Sequence, residues 1–315
     1  MTLEERSADR RTDRLIERPI IIVGAPRSGT SILFQVLSTH PDLWSLYRES
    51  QPIIEANFDP RKRGLESNVL SADDLDEQTR VHLEREFFRR VGNIERLLPP
   101  LSRAIPLIAR VKLSALMVTL GQSRKRSPLR IVEKTPENSF RIPFLMKLFP
   151  DALFLYVIRD PRGSISSIYR GWHQPVKFKT YPLPSGFHIQ GYEGKRWSFG
   201  LPPGWRSYDG STLMEVCAFQ WKAYNEACLQ DLPFAQGNVL QVGYEDLVGA
   251  PASQLARVAA WAGVDYAPLE RFGARLPVVN TRSRPSPDKW EAHQREIARV
   301  LPTVADVASR LGYEL

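Results

Sequence analysis

The chain has 315 residues, 43% of them hydrophobic and 25% charged, and 43 Lys and Arg against 35 Asp and Glu give a formal net charge of +8. Such usage excludes a disordered or collagen-like chain, and the length allows one large domain or two small ones. The basic balance favours anionic partners without saying of which kind.

In chain order, residues 1–18 mix five Arg with five acids and hold no apolar stretch, which predicts a flexible lead-in and no secretory leader. Pro19 to Val23 is a β-branched run typical of a buried strand. A turn-rich loop, Gly24 to Gly29, follows. Thr30 to Thr39 then sets Ile32, Leu33, Val36 and Leu37 at helical spacing, and Pro41 stops it. Leu43 to Tyr47 predicts a second strand. Residues 50–130 read as a helical insertion, in which Ser71 and Asp74 open a helix striped by Leu83, Phe87, Phe88 and Val91. A basic loop, Arg124 to Arg130, leads to a short strand, Arg130 to Val132, and then to Glu133-Lys134-Thr135-Pro136. A helix through Phe140 to Phe149, kinked or restarted at Pro143, precedes Leu153 to Ile158, the clearest central strand.

Residues 171–211 are rich in Gly, Pro and aromatics, Trp197 and Trp205 among them. So long an irregular stretch predicts a lid or substrate-facing insert, with a small satellite core as the alternative. Thr212 with Glu215 makes a capping box for a helix to about Gln230. Leu213, Cys217, Tyr224 and Cys228 share its core stripe, while Trp221 and Asn225 fall on a neighbouring face and are candidates to line a site. The two cysteines stand about 16 Å apart along such a helix, too far to bridge. Asn238 to Val242 is another strand and Pro251 to Ala262 another helix, stopped by Gly263. Strands alternating with helices predict an α/β fold with a doubly wound parallel sheet, whose ligands bind at the carboxyl ends of the strands. The expected organisation is a lead-in over 1–18 and a single domain over 19–315.

Gly24-Ala25-Pro26-Arg27-Ser28-Gly29-Thr30-Ser31 sits between a strand and a helix start. Its glycines permit a tight turn, and loop amides with the helix N-terminus suit an anion. The spacing is that of the nucleotide-binding P-loop with Thr30 in place of the phosphate-reaching lysine; Arg27 supplies positive charge instead. Arg159 and Ser167 follow the central strand at a spacing that lets both converge on an anion at a helix start, and Arg162 either joins them or is solvated. Glu49 is open to two readings, a base or a carboxylate paired with Arg48. His173 and His188, in the insert, are alternative bases.

Together the two strings resemble the 5′-phosphosulfate loop and the 3′-phosphate motif of the sulfotransferases that use 3′-phosphoadenylyl sulfate (PAPS). His40-Pro41-Asp42, Glu49-Ser50, Glu133-Lys134-Thr135-Pro136, Tyr244-Glu245-Asp246-Leu247 and Lys289-Trp290 agree in order and spacing. The likeness covers roughly residues 19–300. It is nearest to the bacterial and the carbohydrate- and tyrosylprotein-modifying branches, since Pro136 stands where the small-phenol branch has a histidine. The resemblance implies that Arg27, Ser28, Gly29, Thr30 and Ser31 hold the 5′-phosphosulfate and that Arg159 and Ser167 hold the 3′-phosphate. It implies Lys134 at the bridging oxygen or sulfuryl group, Glu49 as general base, and Tyr244 and Lys289 on the nucleotide. The product is then a sulfate ester of an acceptor hydroxyl, with adenosine 3′,5′-bisphosphate (PAP) released and no metal required.

Three other readings remain: a nucleotide kinase or NTPase on the same fold, a nucleotide-binding pseudoenzyme, and a polyanion binder. Thr30 in the lysine position opposes the first, and dispersed basic residues without a nucleic-acid motif oppose the last. No nucleic acid or membrane partner is expected. The apolar runs fall short of the roughly 18 residues of a span, so a cytoplasmic protein is expected.

Overall fold

The computed structural model describes residues 14–46, 49–93, 125–174, 176–279 and 287–315. The insertion expected over 50–130 therefore lies partly outside the described residues, as do Tyr47 and Arg48.

Five parallel strands form the sheet in the order β2-β3-β1-β4-β7. They are β1 (Ile20–Val23), β2 (Trp44–Ser45), β3 (Ile131–Lys134), β4 (Leu153–Ile158) and β7 (Val239–Gly243). Ile20 of β1 pairs with Val132 on one side and Leu153 on the other, so β3 and β4 flank β1 and their loops open next to its own. All of β1, β3 and β4 is buried, which explains the continuous apolar runs of β1 and β4; β3 ends instead on the buried Glu133 and Lys134. Between β1 and β3 lie α1 (Thr30–Leu37), α2 (Gln51–Phe58) and α3 (Glu77–Arg90). Ser71 and Asp74 do form a capping box, but it opens a single 3-10 turn, and α3 is capped by Asp76 instead.

Alternation sorts each strand's side chains between two cores. Leu153, Leu155 and Val157 face an aliphatic layer made with Leu33 and Val36 of α1 and with Leu255 and Val258 of α8 (Pro251–Ala262). Phe154, Tyr156 and Ile158 face an aromatic layer. That second layer is built by α4 (Ile142–Leu148), α5 (Pro161–Trp172) and α6 (Leu213–Asp231). Pro143 lies in the first turn of α4, where its missing N–H costs nothing. A 3-10 turn, Pro136–Phe140, precedes it.

Two short antiparallel strands, β5 (Lys179–Pro182) and β6 (Arg196–Ser198), give the insert its own hairpin. Trp197 and Trp205 are buried, with Trp197 edge-on to Trp172 at 5.1 Å. Most of the insert's aromatics thus extend the main core. Residues 14–18 do not fray: Leu15 and Ile16 donate their amides to Glu84 Oε1 at 2.9 and 3.1 Å. The chain ends in α7 (Tyr244–Gly249), α8, α9 (Gln294–Val300) and α10 (Ala305–Arg310). No helix of the described residues is long and apolar enough to cross a membrane.

Candidate active site

The loops leaving β1, β3 and β4 border one open pocket. The β1–α1 loop forms one wall and depends on its glycines. A Cβ at Gly24, where φ is +142°, would stand 2.3 Å from the Val157 carbonyl oxygen, and one at Gly29, φ +100°, would stand 2.6 Å from the Tyr244 ring. Arg27 itself adopts a left-handed φ of 70°, which costs a non-glycine residue on the order of 1 kcal/mol or more. Left-handed residues alternating with ordinary ones make an anion-accepting concavity, and the N-terminus of α1, with Thr30 and Ser31 on the pocket wall, favours negative charge.

The second motif meets the first. Arg27 Nε donates to Ser167 Oγ at 3.2 Å, and Arg159 Nη1 donates to the Arg27 carbonyl at 2.9 Å. The Arg159 guanidinium lies over the Tyr244 ring at 4.2 Å, and its Nε is buried without a hydrogen-bond partner. Asp160 caps α5 and binds Arg162 at 2.6 Å, so Arg162 is spent locally. Arg170, one turn beyond Ser167, donates to Ser166 Oγ at 2.7 Å and to the Lys289 carbonyl at 3.2 Å, tying Lys289's segment to the pocket. Burial, with Arg159 and Arg170 nearby, pushes Arg27 down to about 10. Burial and the same arginines lower Lys289. Cations that depress one another in this way leave a strong field for an anion.

The other end is mixed in charge. Lys134, at the end of β3, pairs with Glu49 Oε1 at 2.5 Å, the lysine side chain 9% exposed and the glutamate 43%. Glu49 is held there by its neighbour: Ser50 N donates to Thr135 Oγ1 at 2.7 Å. Thr135 Oγ1 in turn donates to Glu133 Oε1 at 2.5 Å, and Asn138 Nδ2 donates to Glu133 Oε2. Glu133 is buried, and that burial raises its pKa. Its carboxyl is the knot joining the β2–α2 and β3 loops. Phe178 and Phe199, stacked at 5.0 Å, give this end an apolar wall.

Of the residues expected from sequence, Arg27, Gly29, Thr30, Ser31, Glu49, Lys134, Arg159, Ser167, Tyr244 and Lys289 all line the pocket. Ser28 does not; it is buried with its hydroxyl 3.5 Å from Ser164 Oγ. His173 and His188 are both exposed and neither borders the pocket. Trp221 and Asn225 are buried in the aromatic core, where Tyr156 donates to Asn225 Oδ1 at 2.9 Å, and they do not line the site. The insert expected to face a substrate supplies Phe178, Thr180 and Phe199, whereas sequence reading missed Arg170, Glu137 and Pro277 to Val279. Only Arg170 left a signal, its one-turn spacing from Ser166 and Ser167. Among the described residues no group of His, Cys, Asp and Glu is arranged to hold a metal ion.

A parallel sheet with a lysine-free glycine turn and a cationic wall at its strand ends defines an α/β protein equipped to hold a multiply charged anion. The profile of the sulfotransferase family matches residues 19–268, and the chain belongs to that family. The omega-hydroxy-beta-dihydromenaquinone-9 sulfotransferases Stf3 of Mycobacterium bovis and Mycobacterium tuberculosis are each 26% identical over 266 residues, 78% of this chain. The match spans 62% of the length of these curated relatives. The crystal structure of sulfotransferase STF9 from Mycobacterium avium superposes with a TM-score of 0.52 at 16% identity, covering 99% of this chain and 81% of that one. It shares the fold.

Proposed function

We propose that this protein transfers the sulfuryl group of PAPS to the hydroxyl of an acceptor, releasing PAP. One observation carries the reading: Arg27 and Ser167, 140 positions apart, share a hydrogen bond of 3.2 Å. One ligand can therefore be gripped at two phosphates. Arg27, Gly29, Thr30 and Ser31 are assigned to the 5′-phosphosulfate. Arg159 and Ser167, with Arg170 and Lys289, are assigned to the 3′-phosphate, and Tyr244 to the nucleoside.

Glu49 takes the acceptor proton as the hydroxyl oxygen bonds to sulfur and the bond from sulfur to the 5′-phosphate oxygen breaks. Lys134, freed from Glu49 as that carboxylate is protonated, stabilises the charge growing on the departing oxygen. Preorganised cations and amides suffice for such charge, so the reaction is assigned no metal. Phe178, Phe199 and Pro136 favour an alcohol on an apolar body, in line with the hydroxylated menaquinone for which the curated relatives are named.

A thermal-shift titration tests the donor. PAP at a hundred times its Kd contributes about 2.7 kcal/mol and should raise the Tm clearly, whereas ATP with magnesium should not. Stabilisation by ATP with magnesium alone overturns the assignment in favour of a kinase or NTPase. Incubation with labelled PAPS and a panel of apolar alcohols then has to yield labelled ester; PAP binding with no transfer to any acceptor favours the pseudoenzyme.

A further inference from the structure

Glu137 stands three residues beyond Lys134, inside the 3-10 turn Pro136–Phe140, and borders the same pocket as Glu49. It is only 2% exposed. It makes no ion pair among the described residues, and its Oε2 is buried without a hydrogen-bond partner. Arg141 bonds Glu55 Oε1 at 3.4 Å and the Asn68 carbonyl at 3.2 Å, and its Nη1 is buried without a hydrogen-bond partner, so it faces Glu137 without pairing with it. A Cβ at Gly200 would meet Tyr224 Oη at 2.4 Å and Glu137 Cγ at 2.8 Å, so glycine is what lets backbone, phenol and glutamate close on one another.

A carboxylate so placed cannot be solvated, and a buried charge without a partner costs several kcal/mol. The groups facing it come from five elements: Glu49 after β2, Glu55 on α2, Arg141 before α4, Tyr181 on β5 and Tyr224 on α6. Burial, then the charge of Glu49, pushes Glu137 up to about 7, with Arg141 opposing.

We propose that Glu137 is a positioning residue of the transfer site: an uncharged carboxyl behind Glu49 that leaves Glu49 the sole charged carboxylate on the described pocket wall, and whose ionisation switches the site off. The inference rests on the sulfotransferase reading. The sulfuryl donor is anionic and must approach between Lys134 and Glu49. A second negative charge beneath that path repels the donor and competes for the field of Lys134. No proton need pass through Glu137, because Glu49 is exposed enough to return its own to solvent.

The test is Glu137→Gln, of the same shape and never charged. The pH dependence of kcat/KM for PAPS reports groups in the free enzyme. Wild-type activity should fall as pH rises through neutrality, and the variant should lack that limb, so the ratio of variant to wild type rises roughly 30-fold between about pH 6 and pH 8.5. The sign for stability agrees. A folded-state pKa above the unfolded one contributes stability that is present at low pH and lost as pH rises through about 7. The variant should therefore gain Tm over wild type on going from acid to alkaline buffer. NMR titration of isotope-labelled glutamate carboxyls in the wild-type protein gives a reading that needs no variant: one resonance, absent from Glu137→Gln, should titrate near neutrality. Parallel pH profiles, a Glu137 resonance that titrates in the ordinary carboxylate range, or activity lost at every pH with PAP binding intact each overturns the proposal. Failure of the wild-type protein to bind PAP falls instead on the sulfotransferase reading, and the inference falls with it.

Discussion

The two ends of the pocket are built on opposite plans. The cationic end gathers Arg27, Arg159, Arg170 and Lys289 with no carboxylate among them, and most of its residues come from two contiguous strings at strand ends. The other end, to which the proposed reaction assigns the acceptor, pairs Lys134 with Glu49, also holds Glu137, and takes its apolar wall from Phe178 and Phe199 of the insert. Binding a fixed polyanion asks for an unrelieved positive field. Moving a proton and admitting varied acceptors asks for balanced charge and a wall that can differ between proteins. The first demand yields local motifs, and the second yields residues scattered along the chain.

The division breaks most sharply at Glu49. Glu49→Gln should lower kcat by about 10²–10⁴-fold while the thermal shift with PAP persists. Equal loss of PAP binding would mean that the two ends do not act separately. At the other end, Arg159→Ala should weaken PAP by roughly 10- to 100-fold, the worth of a charge-assisted hydrogen bond of about 1.5–3 kcal/mol. Calorimetric titration checks this, and Arg159→Lys should recover only part of the loss because stacking on Tyr244 is specific to the planar group. The smallest expected effect is at His173. His173→Ala should leave kcat/KM within about twofold and the pH profile unmoved, because the imidazole lies outside the pocket lining. A lost limb in that variant's pH profile would move the base away from Glu49.

The same division governs what could be read from sequence. β4 and α8 carry the expected bounds, because a buried strand and a helix between Pro251 and Gly263 are specified by near neighbours. The Arg27 loop and the Arg159–Ser167 string were legible for that reason. Glu137 was not. Nothing in its neighbours says that Gly200 will close over it or that Arg141 will bond Glu55, since both contacts come from chain more than 60 positions away. Trp221 and Asn225 show the converse error. Helical spacing places them on one face, but only packing decides that the face meets Tyr156 and not the pocket. The insert was read for its composition, yet its tryptophans fill the core beside Trp172, and among its described residues Phe178, Thr180 and Phe199 reach the pocket.

The contact between Gly29 and Tyr244 links distant stretches of chain in a single stack: bare backbone, then phenol, then the Arg159 guanidinium. A methyl group added at position 29 would evict the ring and, with it, the platform beneath the arginine. A substitution at position 29 is therefore felt at position 159 through the ring between them.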